Sequence, residues 1–297
     1  MNKQDSIINK RQKLHAIRVL RDRIFVVGFA LAVVVGILGL AALLFDVLID
    51  GLPFLNINFL SSYASRKAEN SGILAPLAGT IWIVGMTAIL TIPIGVGTAI
   101  YLEEFASKNR FNRLIELNIA NLAGVPSVIY GLLGLAVFVQ FLFNGSRNVT
   151  AGALTMTLLI LPIVVIASQE AIKAVPSSYR DAAYAMGANR WQVVKAVVLP
   201  QALPGMMSGI ILALSRAIGE SAPILIISSL VWVTFIPTSP DSKFTVLPLQ
   251  IFTWISQPQH SFRGIAAAAI IVLLIVLLSM NGIAIWIRSK YQSRPDQ

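Results

Sequence analysis

The sequence predicts an all-α integral membrane protein that crosses the bilayer about six times. Composition is the first reason: 56% of the 297 residues are hydrophobic and only 12% are charged, whereas about a quarter of the residues in a soluble globular domain are charged. Pattern is the second reason, because the apolar residues fall in long blocks with almost no charge. A block of about 18 or more such residues is long enough to cross the hydrocarbon core as a helix.

The apolar blocks place the predicted helices and divide the chain. The six spans are residues 24–48, 73–101, 114–142, 150–168, 205–232 and 264–287. The divisions are a basic tail (1–23), a first transmembrane helix with an external loop (24–71), a helical core (72–288) and a C-terminal tail (289–297). Four prolines lie in spans two to four, and we expect kinks rather than breaks there because neighbouring helices can satisfy the carbonyl groups that proline frees. They are Pro76, Pro93, Pro126 and Pro162.

The basic residues are distributed unevenly between the two sides of the predicted membrane. Seventeen of the 23 Lys and Arg residues lie in residues 1–23, 102–113, 169–204 and 288–297, whereas five lie in loops on the other side and Arg216 lies within a span. Excess basic charge in short loops marks the cytoplasmic side, so both termini are predicted to be cytoplasmic. This distribution accounts for the net charge of +10. No basic stretch has the context of a nucleic-acid site, so membrane lipid rather than nucleic acid is the expected surrounding.

The cytoplasmic segment 169–204 is predicted to contain two short amphipathic helices joined by a turn at Gly187. Glycine is suited to this turn because it takes left-handed backbone conformations without strain. The apolar surface of such an element meets no lipid, so we expect it to pack into another protein. Its residues are Tyr179, Ala182, Ala183 and Met186 in the first helix and Trp191, Val194, Val197 and Val198 in the second.

The residue spacing in this segment resembles the coupling motif of ABC-importer permeases. The matching residues are Asp181, Ala182, Ala183, Gly187, Val197, Leu199 and Pro200. The family usually has Glu at the first position and Ile at the position of Val197, and both departures are conservative. The resemblance implies the ABC-importer permease fold, with 169–204 as its coupling loop. It also implies that this loop docks into a cytoplasmic ATPase subunit, whose ATP-driven closure switches the permease between inward-open and outward-open states.

Two ionisable residues, Arg216 and Glu220, lie near the middle of predicted span five and one helical turn apart. Ionisable residues at membrane depth are costly and indicate a function that faces a pathway, although a pair that merely joins helices is an alternative. A guanidinium group suits a tetrahedral oxyanion because it donates paired, charge-assisted hydrogen bonds. Together with the hydroxyl groups of Ser215 and Ser221, these are the predicted substrate-pathway residues.

Three further stretches resemble the membrane subunits of phosphate importers, and the last of them is more similar to the A-type subunit than to its C-type partner. They are residues 121–131, 213–223 and 247–252, within a similarity that runs from about residue 72 to residue 288. The resemblance implies a plasma (inner) membrane protein in which Arg216 takes part in phosphate passage. The implied partners are a C-type permease in a heterodimer, two ATPase subunits that bind ATP and Mg²⁺, and an external phosphate-binding protein.

Several other functions compete with this interpretation. The sequence has no G-x-x-x-x-G-K-[ST] phosphate-binding loop and its two histidines, His15 and His260, cannot build a zinc site alone, so we expect a non-enzyme without a cofactor or metal of its own. An importer of another oxyanion, such as sulfate or molybdate, is one alternative. A secondary carrier is another, but it gives no reason for segment 169–204. A structural membrane protein does not explain Arg216 and Glu220.

Overall fold

A computed structural model describes residues 3–107, 109–228 and 233–291 of the chain. The chain divides after Asp50 into two compact units. The first consists of helix α1 (Lys3–Gly51), in which the predicted basic tail and the first span form one continuous helix. Its apolar side chains, such as Phe29 and Leu43, are exposed, as expected of a helix that is surrounded by lipid.

The described residues of the second unit are mostly helical, with one isolated antiparallel bridge between Asn148 and Lys243. The helices are α2 (Ile57–Ser61), α3 (Leu74–Ile100), α4 (Arg110–Ala123), α5 (Ser127–Leu133), α6 (Val149–Lys173), α7 (Ser177–Ala185), α8 (Arg190–Val193), α9 (Leu199–Gly219), α10 (Ala222–Ile227), α11 (Leu247–Ile255) and α12 (Ser261–Tyr291). Three π-helical segments extend them, namely Tyr101–Phe105 after α3, Gly134–Leu142 after α5 and Val194–Val198 between α8 and α9.

Five helical runs within the described residues are long and apolar enough to cross a membrane. They are Arg21–Phe54, Leu74–Phe105, Val149–Lys173, Arg190–Gly219 and Ser261–Lys290. The pair Arg110–Ala123 and Ser127–Leu142 supplies a sixth crossing if its two halves count as one span, although they meet at a bend of 106°. The predicted all-α membrane architecture with about six crossings is therefore confirmed.

The prediction of a merely kinked third span is wrong, because the helix breaks at Pro126. Proline has no N–H group, and it disfavours helical geometry in the residue before it, so α4 stops and α5 begins in a new direction. The Tyr130 hydroxyl donates a hydrogen bond of 2.7 Å to the Leu122 carbonyl, which also accepts from the Val125 N–H at 3.1 Å, and so joins α5 to the end of α4. Pro93 and Pro162, in contrast, lie inside the continuous helices α3 and α6.

The predicted fifth span, residues 205–232, also differs from the structure. The helical run begins earlier, at Arg190, and ends at Gly219, whereas Glu220 is extended with φ −81° and ψ 108°. Pro223 explains this end, because it cannot donate the hydrogen bond that the Gly219 carbonyl would accept in a continuing helix. Residues 229–232 of the predicted span and residues 292–297 of the predicted C-terminal tail lie outside the described residues.

Helix α6 is the central helix of the second unit and packs against both α3 and α9. The contact with α9 is very close at Gly205 and Gly209. A Cβ atom added to these glycines would lie 2.9 Å and 2.2 Å from the Cβ atoms of Ala171 and Ala167. The spacing of small residues in α9 thus brings two helices of the same chain together.

Helix α11 is a nine-residue element that is too short to cross the membrane and packs against α3 and α12. The backbone N–H of Leu247 donates a 2.9 Å hydrogen bond to the Thr80 hydroxyl of α3. Trp254 is completely buried in a cluster with Phe262 of α12. The segment 247–255 is therefore an integral part of the protein interior.

Candidate functional site

Helices α7 and α8 and the turn between them form a helical hairpin (177–193), as the sequence predicts. Gly187 has φ +85°. Its N–H donates to the Tyr184 carbonyl at 2.9 Å, and the N–H of Ala188 donates to the Ala183 carbonyl at 3.2 Å. This is the Schellman arrangement, which requires a left-handed residue at position 187. No atom lies within 4 Å of a Cβ added there, so backbone conformation rather than space favours glycine.

Helix α8, the second helix of the hairpin, is capped at its N-terminus and continues at its C-terminus into the next helical segment. The Asn189 side chain accepts from the Gln192 N–H at 2.9 Å, while the Gln192 side chain accepts from the Asn189 N–H at 2.8 Å. This reciprocal capping box satisfies two donors of the first turn. The chain then passes through the π-helical segment Val194–Val198 into α9 without a break. The hairpin is therefore joined directly to the helix that carries Arg216.

The apolar residues of the hairpin region divide into an inner and an outer set. Val194 and Val198, which were predicted to face a partner protein, are buried, and Val198 clusters with Ala99 and Ile172 at the ends of α3 and α6. That part of the prediction is wrong, because both valines are already buried within the chain itself. The outer set is exposed and consists of Tyr179, Tyr184, Met186 and Trp191.

The residues of the coupling motif divide in the same way. The exposed ones are Asp181, Ala182, Gly187 and Pro200, and the half-buried ones are Ala183, Val197 and Leu199. Ala183 and Leu199 pack against the buried cluster at the ends of α3 and α6. One side of the motif thus belongs to the chain's own core, while the other side is open to a partner.

Arg180 ties the hairpin to the rest of the unit, and the sequence interpretation missed it. Its Nη2 and Nε atoms donate to one carboxylate oxygen of Glu104 at 2.9 Å and 3.2 Å. Nη1 donates to the Val175 carbonyl at 2.6 Å, and Nη2 also donates to the Ile172 carbonyl at 2.9 Å. The Arg180 and Glu104 side chains are only 19% and 9% exposed. Removing one partner of such a buried pair typically costs about 3–5 kcal/mol.

Further contacts strengthen the junction between the end of α3, α6 and the hairpin. The Gln169 side chain of α6 donates to Glu103 at 2.9 Å. The Arg190 guanidinium lies 5.4 Å from the centre of the Phe105 ring, within the range of a cation–π interaction. The one sequence signal for this junction is the Glu103–Glu104 pair directly after a long apolar run, since its charges need partners.

Arg216 and Glu220 lie on either side of a helix end rather than in the middle of a helix. Arg216 is in the last turn of α9, where the helix dipole favours a cation. Its Nε atom is 3.9 Å from Glu220 Oε2, which is too long for a hydrogen bond. The Arg216 side chain is 52% exposed. Within the described part of the chain it makes only this one ion pair, so most of its guanidinium group is accessible.

The two serines predicted beside Arg216 have different surroundings. The Ser215 hydroxyl lies within hydrogen-bond distance of the Ile211 carbonyl and of the Asn281 side-chain oxygen on α12. Ser221 is half-buried at the start of α10, and its carbonyl accepts from the Leu225 N–H at 2.8 Å. Among the described residues, no hydrogen bond joins either serine to Arg216.

Two of the three stretches that resemble phosphate-importer subunits are in contact. Helix α5, in stretch 121–131, packs against α10 beside stretch 213–223. A Cβ atom added to Gly131 would lie 2.8 Å from the Cα atom of Pro223. The break after α4 and the break after α9 thus lie in elements that pack together, whereas stretch 247–252 lies in α11 and packs against α3.

Comparisons with known proteins agree with this architecture. The family model described as "binding-protein-dependent transport system inner membrane component" matches residues 91–292. A probable ABC transporter permease protein of Bacillus subtilis, YqgI, is 32% identical over 88% of this chain and 92% of that protein. The phosphate transport system permease protein PstA 1 of Mycobacterium tuberculosis is 34% identical over 73% of this chain and 70% of that protein.

Among solved structures, the chain is similar to the MetNI methionine ABC transporter in inward-facing conformations. The TM-score is 0.59, with 17% identity over 72% of this chain and 94% of that chain, so this similarity concerns the fold. The family model covers more than half of the sequence and includes the hairpin, α9 and α12. The chain therefore belongs to the family of binding-protein-dependent transport system inner membrane components.

Proposed function

We propose that this chain is the membrane-spanning permease subunit of an ATP-driven importer of inorganic phosphate. It would form half of the translocation pathway and connect it to ATPase subunits in the cytoplasm. The observation that carries the proposal is the helical hairpin, which is anchored to the ends of α3 and α6 by Arg180 and exposes Tyr179, Met186 and Trp191. Exposed apolar side chains on a fixed element are typical of a protein-docking surface.

The proposed partners follow from the family and from the charge distribution. Two ATPase subunits, which hold ATP and Mg²⁺, would bind the hairpin, and an external phosphate-binding protein would deliver the substrate. A C-type permease would supply the other half of the pathway. The excess of Lys and Arg in the tails and in segments 102–113 and 169–204 supports a plasma (inner) membrane protein with both termini in the cytoplasm.

The coupling residues have separate roles in this proposal. Asp181, Ala182, Gly187 and Pro200 would contribute to the docking surface, because they are exposed. Ala183, Val197 and Leu199 would fix the orientation of that surface, because they are half-buried. ATP hydrolysis would then reach the membrane as a movement of the hairpin and of α9, which continues from it.

Arg216 is the proposed phosphate-contacting residue of the pathway. Its accessible guanidinium group can donate paired hydrogen bonds to an oxyanion, and its weak pairing with Glu220 at 3.9 Å leaves those donors open. Glu220 would limit how strongly the anion is held, because a carboxylate repels it. The Ser215 hydroxyl would assist passage by exchanging its present partners on α9 and α12 for the anion. The Ser221 hydroxyl would assist passage at the start of α10.

Labelled-phosphate uptake tests this function in cells that lack the chain and other phosphate importers. Restoring the chain should restore uptake, and excess sulfate or molybdate should not compete. Purification from the same cells should recover ATPase subunits together with the chain. Uptake that competes with sulfate or molybdate would replace phosphate by another oxyanion, and purification without any ATPase would contradict the importer assignment.

A further inference from the structure

Arg180 and Glu104 are positioned to do more than stabilise the fold. The guanidinium group of Arg180 belongs to α7, and its carboxylate partner Glu104 lies in the π-helical extension of α3. Its two carbonyl acceptors are Ile172, in the last turn of α6, and Val175, in the linker between α6 and α7. One side chain therefore joins three separate elements. The group formed by Arg180, Glu104 and these two carbonyls is the Arg180 joint.

We propose that the Arg180 joint transmits the movement of the helical hairpin to α3 and α6, with Arg180 and Glu104 as positioning residues. The inference deepens the proposed function and rests on it, because it assumes that an ATPase moves the hairpin. Without the joint, the ATPase still docks, but its movement reaches α3 only through the apolar cluster around Ala99 and no longer in step with α6.

The geometry of the joint suits transmission because it resists both rotation and separation. Arg180 donates from Nε, Nη1 and Nη2 in different directions, so a rotation of α7 would break hydrogen bonds on one side or the other. Burial makes these bonds insensitive to salt and costly to break. The exposed ion pair between Lys173 and Glu170 at the same helix end has neither property, since the two side chains are 52% and 67% exposed.

The joint and the docking surface occupy different sides of the hairpin. Arg180 points to the ends of α3 and α6, whereas its sequence neighbours Tyr179 and Asp181 are exposed. Glu104 is 7% exposed and lies in the π-helical segment that extends α3. A substitution of Glu104 therefore leaves the docking surface intact. Docking and transmission can for this reason be separated by mutation.

The elements that meet at the joint lead onward into the membrane. Helices α3 and α6 pack against each other along the second unit. The hairpin itself continues into α9. Without the joint, α9 and α6 would still follow the hairpin, because α9 continues from it and the short segment 174–176 joins α6 to α7, while α3 would lag behind. The joint is thus what makes the three helices respond together.

The test uses the whole transporter complex in vesicles and a distance measurement that does not depend on the substrate. The chain contains no cysteine, so Ser178→Cys on α7 and Gly97→Cys on α3 give one pair of spin labels; both positions are exposed. In the chain that carries only these two cysteine substitutions, we expect a single distance between the two spin labels, and ATP should not change it. With Glu104→Gln we expect an ATP-dependent change of that distance, normal recovery of ATPase subunits, and about tenfold less phosphate uptake per ATP hydrolysed.

Two further variants separate transmission from simple destabilisation. Glu170→Gln removes the exposed ion pair with Lys173 but keeps the 3.4 Å ion pair between Lys173 and Glu103, so it should leave distance and coupling unchanged. The double variant Glu104→Gln/Arg180→Gln leaves no unpaired buried charge, so it should fold well and yet stay uncoupled. Recovery of normal coupling in the double variant, or a distance that stays fixed in Glu104→Gln, would overturn the inference. Failure of the unaltered chain to retain ATPase subunits would instead remove the proposed function, and the inference with it.

Discussion

The hairpin region and the end of α9 each contain an arginine next to a glutamate, and the two pairs are held differently. Arg180 Nη2 is 2.9 Å from Glu104, with side chains that are 19% and 9% exposed. Arg216 Nε is 3.9 Å from Glu220, with side chains that are 52% and 18% exposed. The first arginine also donates to two backbone carbonyls, whereas the second has no further partner among the described residues.

The two arginines therefore use the hydrogen-bond donors of a guanidinium group in two different ways. A guanidinium group such as that of Arg180, which makes four hydrogen bonds within the chain, fixes the geometry of the helices around it. One whose donors are open can bind an anion that arrives from outside the chain. ATPase docking at the hairpin region should therefore depend mainly on the shape of the hairpin, and phosphate passage at the end of α9 should depend mainly on charge. Four substitutions test this distinction.

The largest effect is expected for Arg216→Gln. The substitution removes the positive charge and the paired donors, so phosphate uptake should fall by about a hundredfold or more, as when one preorganised donor to a developing anion is lost. Arg216→Lys keeps the charge and should retain part of the uptake. Assembly with ATPase subunits should be normal in both, as measured by co-purification. Normal uptake by Arg216→Gln would take Arg216 out of the pathway.

Gly187→Val should impair the hairpin through its shape. A left-handed conformation costs an ordinary residue about 1–2 kcal/mol, and a β-branched residue fits it least, so affinity for the ATPase subunit should fall about tenfold. Gly187→Asn is the matched control, because asparagine tolerates this conformation, and it should bind almost normally. Affinity can be measured by titrating purified ATPase onto the permease in detergent. Equal affinities for the two variants would show that the turn does not shape the docking surface.

Met186→Glu should weaken docking without affecting the fold. Met186 is 88% exposed, so the chain itself loses nothing, whereas a charge placed in an apolar contact should lower ATPase affinity about fivefold. Lys195→Glu, at an exposed position outside the outer apolar set, is a suitable control. If both variants bind equally well, Met186 lies outside the interface.

Glu220→Gln should have the smallest effect. A weak ion pair contributes about 0–1 kcal/mol, so its loss should change uptake by about twofold and leave assembly unaffected. The initial rate of labelled-phosphate uptake is the relevant measurement. A loss as large as that of Arg216→Gln would mean that Glu220 holds Arg216 in place, and the contrast between the two arginine pairs would then disappear.

Local patterns made much of this protein predictable from its sequence. The apolar blocks identified the membrane helices because the length and hydrophobicity of one block are enough to predict one helix. Gly187 was found because a turn between two amphipathic helices needs a residue that takes positive φ. Arg216 was singled out because a charge within an apolar run is rare and costly, although its place in the last turn of α9 was not predicted.

The features that were missed depend on residues far apart or on competition between local effects. Glu104 and Arg180 are 76 positions apart, and neither shows in the sequence which partner it takes. Proline was ambiguous, because Pro162 stays within α6 while Pro126 separates α4 from α5. The difference lies in the packing around each proline, which the sequence does not display. The burial of Val198 likewise depends on the ends of α3 and α6.

The close approach of α9 to α6 has a consequence for how relatives of this protein can vary. The space that Gly209 leaves is filled by Ala167, and that of Gly205 by Ala171. A homologous chain can therefore have alanine at position 209 only if it has glycine at position 167, because the close contact leaves room for one methyl group. We expect homologous chains to conserve the combined side-chain volume of each facing pair, even where the individual residues differ.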